Sequence, residues 1–514
     1  MWRAEDPQCN EAQKVKYDVV RYTKGRGLDI GCGNYKAFPH FIGVDNGHHW
    51  GTDGCDVVSE ADNLDMFASQ SMDFVFTSHL LEHMERPEKA LKEWFRVIKQ
   101  GGHLVLYLPH KDLYPNIGED GANKDHKSDF LPGDIRAIME DIGMCDLIVD
   151  EVRDHDNGAG AYGNEYSFLQ VYRKNTSHKT LKVCIPEKPG KTACVVRYGG
   201  FGDMIQSSSI FPMLKAQGFH ITMMTTPEGQ EILLNNPYID DWYIQGKDQV
   251  PNEELGPFWG VQGKKFDRFI NLSESVEAGL LALPNRIAYQ YSTEARHAIM
   301  NVNYLERTHL IADVPFKDFD PRFYPTDEEK KWADGRIKEL GGTVLVYALS
   351  GSSVHKVWPY MDALIARLLI TYPDMTIVMT GGKDDRMLHM GWENEKRVIC
   401  AAGVWSIRES LTFAQKADIV FGAETGLLNS VGIEDVPKVA LLSHSSHENL
   451  TKHWKNTVAL TPENTPCYPC HQMHYNFNFC SRDEETGVAQ CQADISVDRV
   501  FNAMRDLLRK EQAA

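Results

Sequence analysis

An apolar strand that runs straight into a glycine-rich turn occurs twice in this chain. The first copy is Leu28-Asp29-Ile30-Gly31-Cys32-Gly33, the second Val195-Val196-Arg197-Tyr198-Gly199-Gly200-Phe201-Gly202-Asp203. A helix is expected after each turn, because glycine lets backbone N–H groups and a helix N-terminus approach a bound anion closely. Strands that feed helices in this way build parallel α/β sheets rather than meanders or bundles. Each turn is therefore a candidate donor-binding site. At 514 residues the chain exceeds what one core covers, so two to four domains are expected, and 42% hydrophobic residues suffice to fill them.

Strands are predicted at Gly27 to Ile30, Phe41 to Val44, Met72 to Thr77, His103 to Leu108 and Tyr166 to Arg173, with a helix over Pro87 to Ile98. This order reads as a doubly wound parallel sheet over residues 1–175. The polar run Lys174-Asn175-Thr176-Ser177-His178-Lys179-Thr180, followed by Pro186, Pro189 and Gly190, predicts a linker over 176–191. Two further α/β halves are expected at 192–325 and 326–514, divided where composition turns to Pro, Asp and Phe and a new series starts at Val344-Leu345-Val346-Tyr347.

In the first domain Asp45 closes the strand next to the Gly31/Gly33 turn, where an acid can hydrogen-bond both hydroxyls of a ribose. Ser71-Met72-Asp73-Phe74-Val75-Phe76-Thr77-Ser78-His79-Leu80-Leu81-Glu82-His83 and Val97-Ile98-Lys99-Gln100-Gly101-Gly102 follow in order. With these four motifs, residues 26 to 108 resemble the class I S-adenosylmethionine-dependent methyltransferases. The resemblance implies S-adenosyl-L-methionine as cofactor, with Asp29, Gly31 and Gly33 around its methionine part, Asp45 at the ribose and Asp62 near the adenine. It departs from the family in the short interval between Gly33 and Asp45, which contains Pro39. Methyl transfer is a direct displacement, aided by a base when the acceptor is a hydroxyl; His83, in the L-E-H segment, and His126 are the candidates.

The second turn opens a helix with Asp203, whose carboxylate can take the proton of an attacking hydroxyl. Downstream, Ser350-Gly351-Ser352-Ser353-Val354-His355-Lys356 offers small residues and a lysine for phosphate oxygens, and Phe421-Gly422-Ala423-Glu424-Thr425-Gly426 is a second strand end with a glycine turn. Together with Pro237-Tyr238-Ile239-Asp240, Lys356-Val357-Trp358-Pro359 and Thr380-Gly381-Gly382, these motifs resemble glycosyltransferase family nine, the ADP-heptose lipopolysaccharide heptosyltransferases. The resemblance implies a GT-B fold of two Rossmann-like halves and inverting, metal-independent transfer from a nucleotide-diphosphate sugar. Asp203 would be the general base, and Ser352, Lys356, Glu424, Thr425 and Gly426 would hold the donor. Glu424 replaces the family's aspartate, Leu427-Leu428-Asn429 its proline-methionine-histidine run, and Ser443-His444-Ser445-Ser446 its G-P-T turn.

Eleven cysteines are spread thinly except for Cys467, Cys470, Cys480 and Cys491 near the end, with His471 and His474 between them. Their spacing permits zinc, and equally a staple of the last loop to the C-terminal helix; no metal ligand is assigned. A formal net charge of −18 argues against general nucleic-acid binding. No apolar run is long enough to span a bilayer, and Met1-Trp2-Arg3-Ala4-Glu5-Asp6 lacks the character of an export signal, so a cytoplasmic protein is expected. The leading expectation is a bifunctional transferase that glycosylates and methylates a glycan or another hydroxyl-bearing acceptor. Nucleic-acid base hypermodification, or a non-catalytic protein with one degenerate half, are the alternatives.

Overall fold

The computed structural model describes residues 11–48, 51, 53–154, 165–187, 190–273 and 279–513. Met1–Asp6 lie outside them. The chain divides into two compact units, 1–189 with 244–266, and 190–243 with 267–514.

The first unit holds an eight-stranded sheet: β1 (Gly27–Ile30), β2 (Ile42–Asp45), β3 (Val57–Val58), β4 (Met72–Ser78), β5 (Ile98–Pro109), β6 (Cys145–Arg153), β7 (Ser167–Lys174) and β8 (Leu181–Val183). Their order is β3-β2-β1-β4-β5-β7-β6-β8. β1 pairs in parallel with β2 and β4, and β7 runs antiparallel to both neighbours. Every residue of β1 is buried, as befits a strand covered on both faces. The Pro87–Val97 helix starts with proline, which has no N–H to leave unpaired, and buries Ala90, Leu91, Trp94, Phe95 and Val97 against this sheet. Because the sheet grows outward from β1 in one direction and from β4 in the other, the carboxyl ends of these two strands form a switch-point crevice.

Three expectations need correction here. The helix expected after Gly33 is absent: residues 31–41 form turns only, because the interval is short and Pro39 cannot donate to a helical ladder. Residues 181–183, inside the stretch read as linker, pair in parallel with β6 as an edge strand, Leu181 half-buried and Val183 exposed. Residues 244–266, assigned by sequence to the acceptor half, pack with the first unit. There Gln249 Nε2 donates to the Val20 carbonyl at 2.6 Å, Gln262 Nε2 to the Tyr17 carbonyl at 2.7 Å, and Lys265 pairs with Asp18 at 2.6 Å.

The second unit contains two parallel sheets. A four-stranded sheet, order β11-β10-β9-β12, uses β9 (Thr192–Val196), β10 (His220–Thr225), β11 (Asp241–Ile244) and β12 (Arg268–Asn271). Its edge strand ends at Ile244, the first residue of the segment that packs with the other unit. A six-stranded sheet, order β15-β14-β13-β16-β17-β18, uses β13 (Thr343–Ala348), β14 (Met375–Thr380), β15 (Val398–Cys400), β16 (Ile419–Ala423), β17 (Lys438–Leu441) and β18 (Thr457–Leu460). The fold class is thus α/β throughout, a Rossmann-like unit and a unit of two lobes, each built on a parallel sheet. The Asp327–Leu340 helix is started by a capping box, Thr326 accepting from Glu329 N–H and Glu329 from Thr326 N–H. The C-terminal helix, Val497–Ala513, buries Val500, Phe501, Met504, Leu507 and Leu508, one helical face, in the core of the six-stranded sheet. No described helix is long and apolar enough to cross a membrane.

Candidate functional site

In the first unit the glycine turn follows β1, with Gly31 at φ 77° and Gly33 at φ 54°, backbone that favours glycine. A Cβ on Gly31 would lie 2.9 Å from a Leu80 methyl, so the residues after β4 close directly over the turn. Asp45 braces it, Oδ2 accepting from Gly33 N–H at 2.9 Å and Oδ1 from Gly47 N–H at 2.8 Å. Asp29 is 2% exposed and accepts from Ala37 N–H at 2.7 Å, and burial pushes its carboxyl up to about 7. Asp62 pairs with Lys89 at 2.9 Å and Arg86 at 3.8 Å. Asp29 and Asp45, both expected to touch a cofactor, thus also hold the loop that replaces the missing helix. The Asn34 Oδ1 and Ser78 Oγ atoms are buried without an intramolecular hydrogen bond, beside the turn and at the end of β4 respectively. With the glycine cradle, these polar atoms fit a cofactor of the nucleoside type expected from the sequence.

The raised pKa of Asp29 has a signed consequence. Between its ordinary 3.8 and about 7 the folded state keeps a proton that the unfolded chain loses, so this group's contribution to stability falls as pH rises through that window. Asp29→Asn, which can still accept from Ala37 N–H, gains stability on the wild type as pH rises from 4 to 7, by about 1.4 kcal/mol for each pH unit crossed. Chemical denaturation at the two pH values reads this.

His83 and His126 lie together, ring centroids 4.9 Å apart and nearly perpendicular, with the buried Glu82 carboxylate between them. Glu82 is the middle residue of the L-E-H segment, but nothing in the sequence gives chemistry to its carboxylate or to His79, which also faces it.

In the second unit Asp203, Ser352, Lys356, Glu424, Thr425 and Gly426 all line one cavity of about 870 Å³. Asp203 is on the first turn of the Phe201–Ser207 helix, where its carboxylate accepts from Gly200 N–H at 2.9 Å and pairs with Arg197 at 2.9 Å. Arg197 is 2% exposed and also donates to the Leu272 carbonyl at 2.8 Å, so it fixes the carboxylate from inside the lobe. A Cβ on Gly199 would stand 2.9 Å from Asp203 Oδ2; glycine leaves that space open. Arg197 stands in the same sequence motif, yet its role is visible only once the chain is folded.

The two lobes meet at glycines. A Cβ on Gly202 would lie 2.5 Å from Asn429 Nδ2, and one on Gly426 2.9 Å from Phe201 Cβ. Gln206 Nε2 donates to Asn429 Oδ1 at 2.9 Å across the same contact. Gly426 therefore serves close packing as well as facing the cavity.

Lys356 is 8% exposed, and its aliphatic stem lies over Gly351. Burial lowers its pKa, while Glu424 and Asp203 act in the opposite sense. Among the described residues no carboxylate lies within ion-pair distance of its ammonium. Thr425 Oγ1 is also buried with no hydrogen-bond partner. A cation and a donor hydroxyl in one cavity, neither satisfied by protein, form a receptor for anionic oxygen.

Glu424 behaves differently from the donor contact expected of it. Its Oε1 accepts from Ser443 N–H at 2.9 Å, His444 N–H at 2.8 Å and the Ser443 hydroxyl, with His444 Nδ1 2.6 Å away, and its Oε2 accepts from the Ser445 hydroxyl. Burial opposes ionisation, but His444, Lys356 and Ser443 outweigh it and hold the carboxyl well below its usual range. The glutamate and the serine–histidine loop, two separate departures in the sequence, are thus one bonded unit. Glu424→Ala is expected to cost about 3–5 kcal/mol at pH 7 by leaving that loop's donors unpaired. This stabilisation is complete above the ordinary glutamate value of 4.5 and is lost as pH falls through the lower folded value, so the difference from wild type narrows in acid. Urea unfolding across pH 3–7 measures it.

The C-terminal cysteines Cys467, Cys470, Cys480 and Cys491 are free thiols, so no disulfide among them staples the loop. Hydrogen bonds hold it instead: Arg296 Nε donates to the Cys470 carbonyl at 2.7 Å, and Tyr289 OH lies 2.8 Å from His474 Nδ1. Burial raises the Cys470 thiol to about 12 and Cys480 to about 11.

Comparison with known proteins bears first on the β1–β5 region. The methyltransferase domain family matches residues 28–106. The chain carries a methyltransferase domain. An uncharacterized protein of Methanocaldococcus jannaschii is 32% identical over 114 residues, 21% of this chain, and the chain spans about half, 55%, of that relative's length. Among solved structures, ADP-heptose lipopolysaccharide heptosyltransferase II of Escherichia coli is similar at 16% identity and a TM-score of 0.46, covering 62% of this chain and 99% of its own. A glycosyl transferase family 9 protein of Veillonella parvula is 16% identical with a TM-score of 0.47, covering 63% and 99%. A putative methyltransferase of Bacillus halodurans, 18% identical with a TM-score of 0.23, covers 32% of this chain and 100% of its own. Besides the methyltransferase domain, the chain has the two parallel sheets of the second unit described above.

Proposed function

We propose that this chain is a bifunctional transferase: an inverting glycosyltransferase that uses a nucleotide-diphosphate sugar, joined to an S-adenosylmethionine-dependent methyltransferase, both acting on hydroxyl-bearing acceptors such as glycans. The observation that carries the glycosyl reading is the single cavity with Asp203 on one lobe and Lys356, Ser352 and Thr425 on the other. Single displacement with inversion needs a proton acceptor on the side of the attacking hydroxyl and charge stabilisation on the side of the leaving group. Asp203 takes the proton of the acceptor hydroxyl, oriented by Arg197 and Gly200 N–H. The Lys356 ammonium and the Thr425 hydroxyl hold the oxygens of the departing diphosphate, with Ser352 at the open rim. Glu424 keeps the Ser443–Ser445 loop in place around them.

In the methyltransferase domain S-adenosyl-L-methionine supplies the methyl group when bound. Gly31 and Gly33 would leave it space, Asp45 and Asp29 would hold the turn around it, and Asp62 would stand on the adenine side. His83 and His126 manage the acceptor's proton. Incubation with a panel of nucleotide sugars, scored by nucleoside diphosphate released, tests the first activity; calorimetry with S-adenosylmethionine tests the second. Release from one donor and a saturating cofactor isotherm are expected. If no donor is turned over and no isotherm develops, the proposal fails.

A further inference from the structure

Behind β4 the chain turns through Leu81–His83 and buries a carboxylate that the fold does not satisfy. Glu82 is 1% exposed, and both its side-chain oxygens are shielded from solvent without a hydrogen-bond partner. Among the described residues no lysine or arginine approaches it within ion-pair distance; three imidazoles do. His79 Nδ1 and His83 Nε2 each stand 3.9 Å from Glu82 Oε1, and His126 Nε2 stands 4.0 Å from it. These separations are too long for hydrogen bonds. They are shorter than two metal–ligand bonds placed end to end, about 4.2 Å, so a single cation can bridge the carboxylate and the rings. One ligand atom each from Glu82, His83 and His126 lies within 4.8 Å of the other two.

The surroundings hold these groups as a ligand set is held. His83 Nδ1 is 3.2 Å from the Asp125 carbonyl and His79 Nε2 is 2.9 Å from Ser167 Oγ, so in each ring the other nitrogen is the one turned toward Glu82. Outer contacts of this kind fix the tautomer and aim of metal-binding histidines. The loop carrying His126 is tied to the same glutamate, Lys127 N–H and Ser128 N–H both donating to the Glu82 carbonyl, at 2.7 and 3.1 Å. Tyr114 packs on the His126 ring at 5.5 Å.

We propose that Glu82, His83 and His126 form a binding site for a divalent first-row transition-metal ion. Imidazole and carboxylate ligands without thiolate suit zinc, manganese or ferrous ions rather than copper(I) or an iron–sulfur cluster. The site lies at the carboxyl end of β4, where Leu80 touches the Gly31 turn. That position gives it a role, which rests on the methyl-transfer reading above: a coordinated hydroxyl is acidified at neutral pH. His83 and His126 then manage the acceptor's proton as ligands rather than by taking it themselves.

The test uses the full chain, freed of metal with a chelator and titrated with Mn²⁺, which favours nitrogen and oxygen donors over the thiols of Cys467, Cys470, Cys480 and Cys491. Electron paramagnetic resonance of free Mn²⁺ counts what is bound. One saturable equivalent is expected, weakened at least about tenfold in His126→Ala and in Glu82→Gln. His444→Ala, which alters the second cluster of His355, Glu424 and His444, leaves it in place. Far-ultraviolet circular dichroism confirms that the variants are folded, and Co²⁺ absorption of His83→Ala gives a second readout should Glu82→Gln not fold. A wild-type chain that takes up no equivalent, or folded variants that bind Mn²⁺ as the wild type does, overturns the site. Calorimetry with S-adenosylmethionine on the same samples is separate: metal bound without cofactor binding leaves the site standing and defeats the methyl-transfer reading.

Discussion

Asp203→Asn lowers glycosyl turnover by about 10²–10⁴-fold while nucleotide binding is retained. The substitution keeps the shape of the side chain and its acceptor oxygen for Gly200 N–H, but it removes the proton acceptor and the charge facing Arg197. If Asp203 were only a first-turn helix residue, the loss would appear as a lower melting temperature with turnover per folded molecule unchanged. Measuring kcat on protein corrected for folded fraction separates the two. The buried Arg197, which also donates to the Leu272 and Ser273 carbonyls, keeps those partners in the variant, so the fold is expected to persist.

Lys356→Met has the second large effect and moves stability the other way. The ammonium is buried without a carboxylate in ion-pair range among the described residues, and burial disfavours its charged form. An unbranched apolar side chain of similar length removes that penalty, so the ligand-free variant melts no lower than the wild type and, at neutral pH, higher. The cost appears only when charge must be stabilised on the leaving diphosphate, as a loss of about 10²–10³-fold in kcat/KM for the nucleotide sugar. Thermal unfolding with and without nucleoside diphosphate checks both halves: stabilisation by ligand shrinks in the variant although the unliganded melting point does not fall. A structural lysine would lower the unliganded melting point instead.

What could be read from sequence was whatever a local pattern declares. A strand that ends in glycines announces its own carboxyl end, and in parallel sheets carboxyl ends gather on one edge. Asp203, Lys356 and Thr425, spread over more than two hundred residues, could for that reason be named before they were seen around one cavity. Hidden features depend on partners that no local period encodes. Arg197 reaches Asp203 only because the turn folds back; Glu424 meets Ser443, His444 and Ser445 from the neighbouring strand's end. The helix expected after Gly33 was contradicted by Pro39 and the short interval, and Asp29 and Asp45 took the N–H groups that the helix would have offered. Likewise residues 244–266 carry nothing in their composition to say that Gln249 and Gln262 will cap carbonyls near Tyr17 and Val20. Glu82 stands within a motif, yet only its burial among three imidazoles gives it a chemical meaning.

We propose that one chain holds two independent donor sites. It is tested most directly by calorimetric titration of a single full-length sample, first with nucleoside diphosphates and then with S-adenosylmethionine. Two separate equivalents are predicted, the nucleotide one weakened in Lys356→Met and the methyl-donor one unchanged in it. A chain that binds only one of the two ligands, or a Lys356→Met variant that loses neither or both together, contradicts the account.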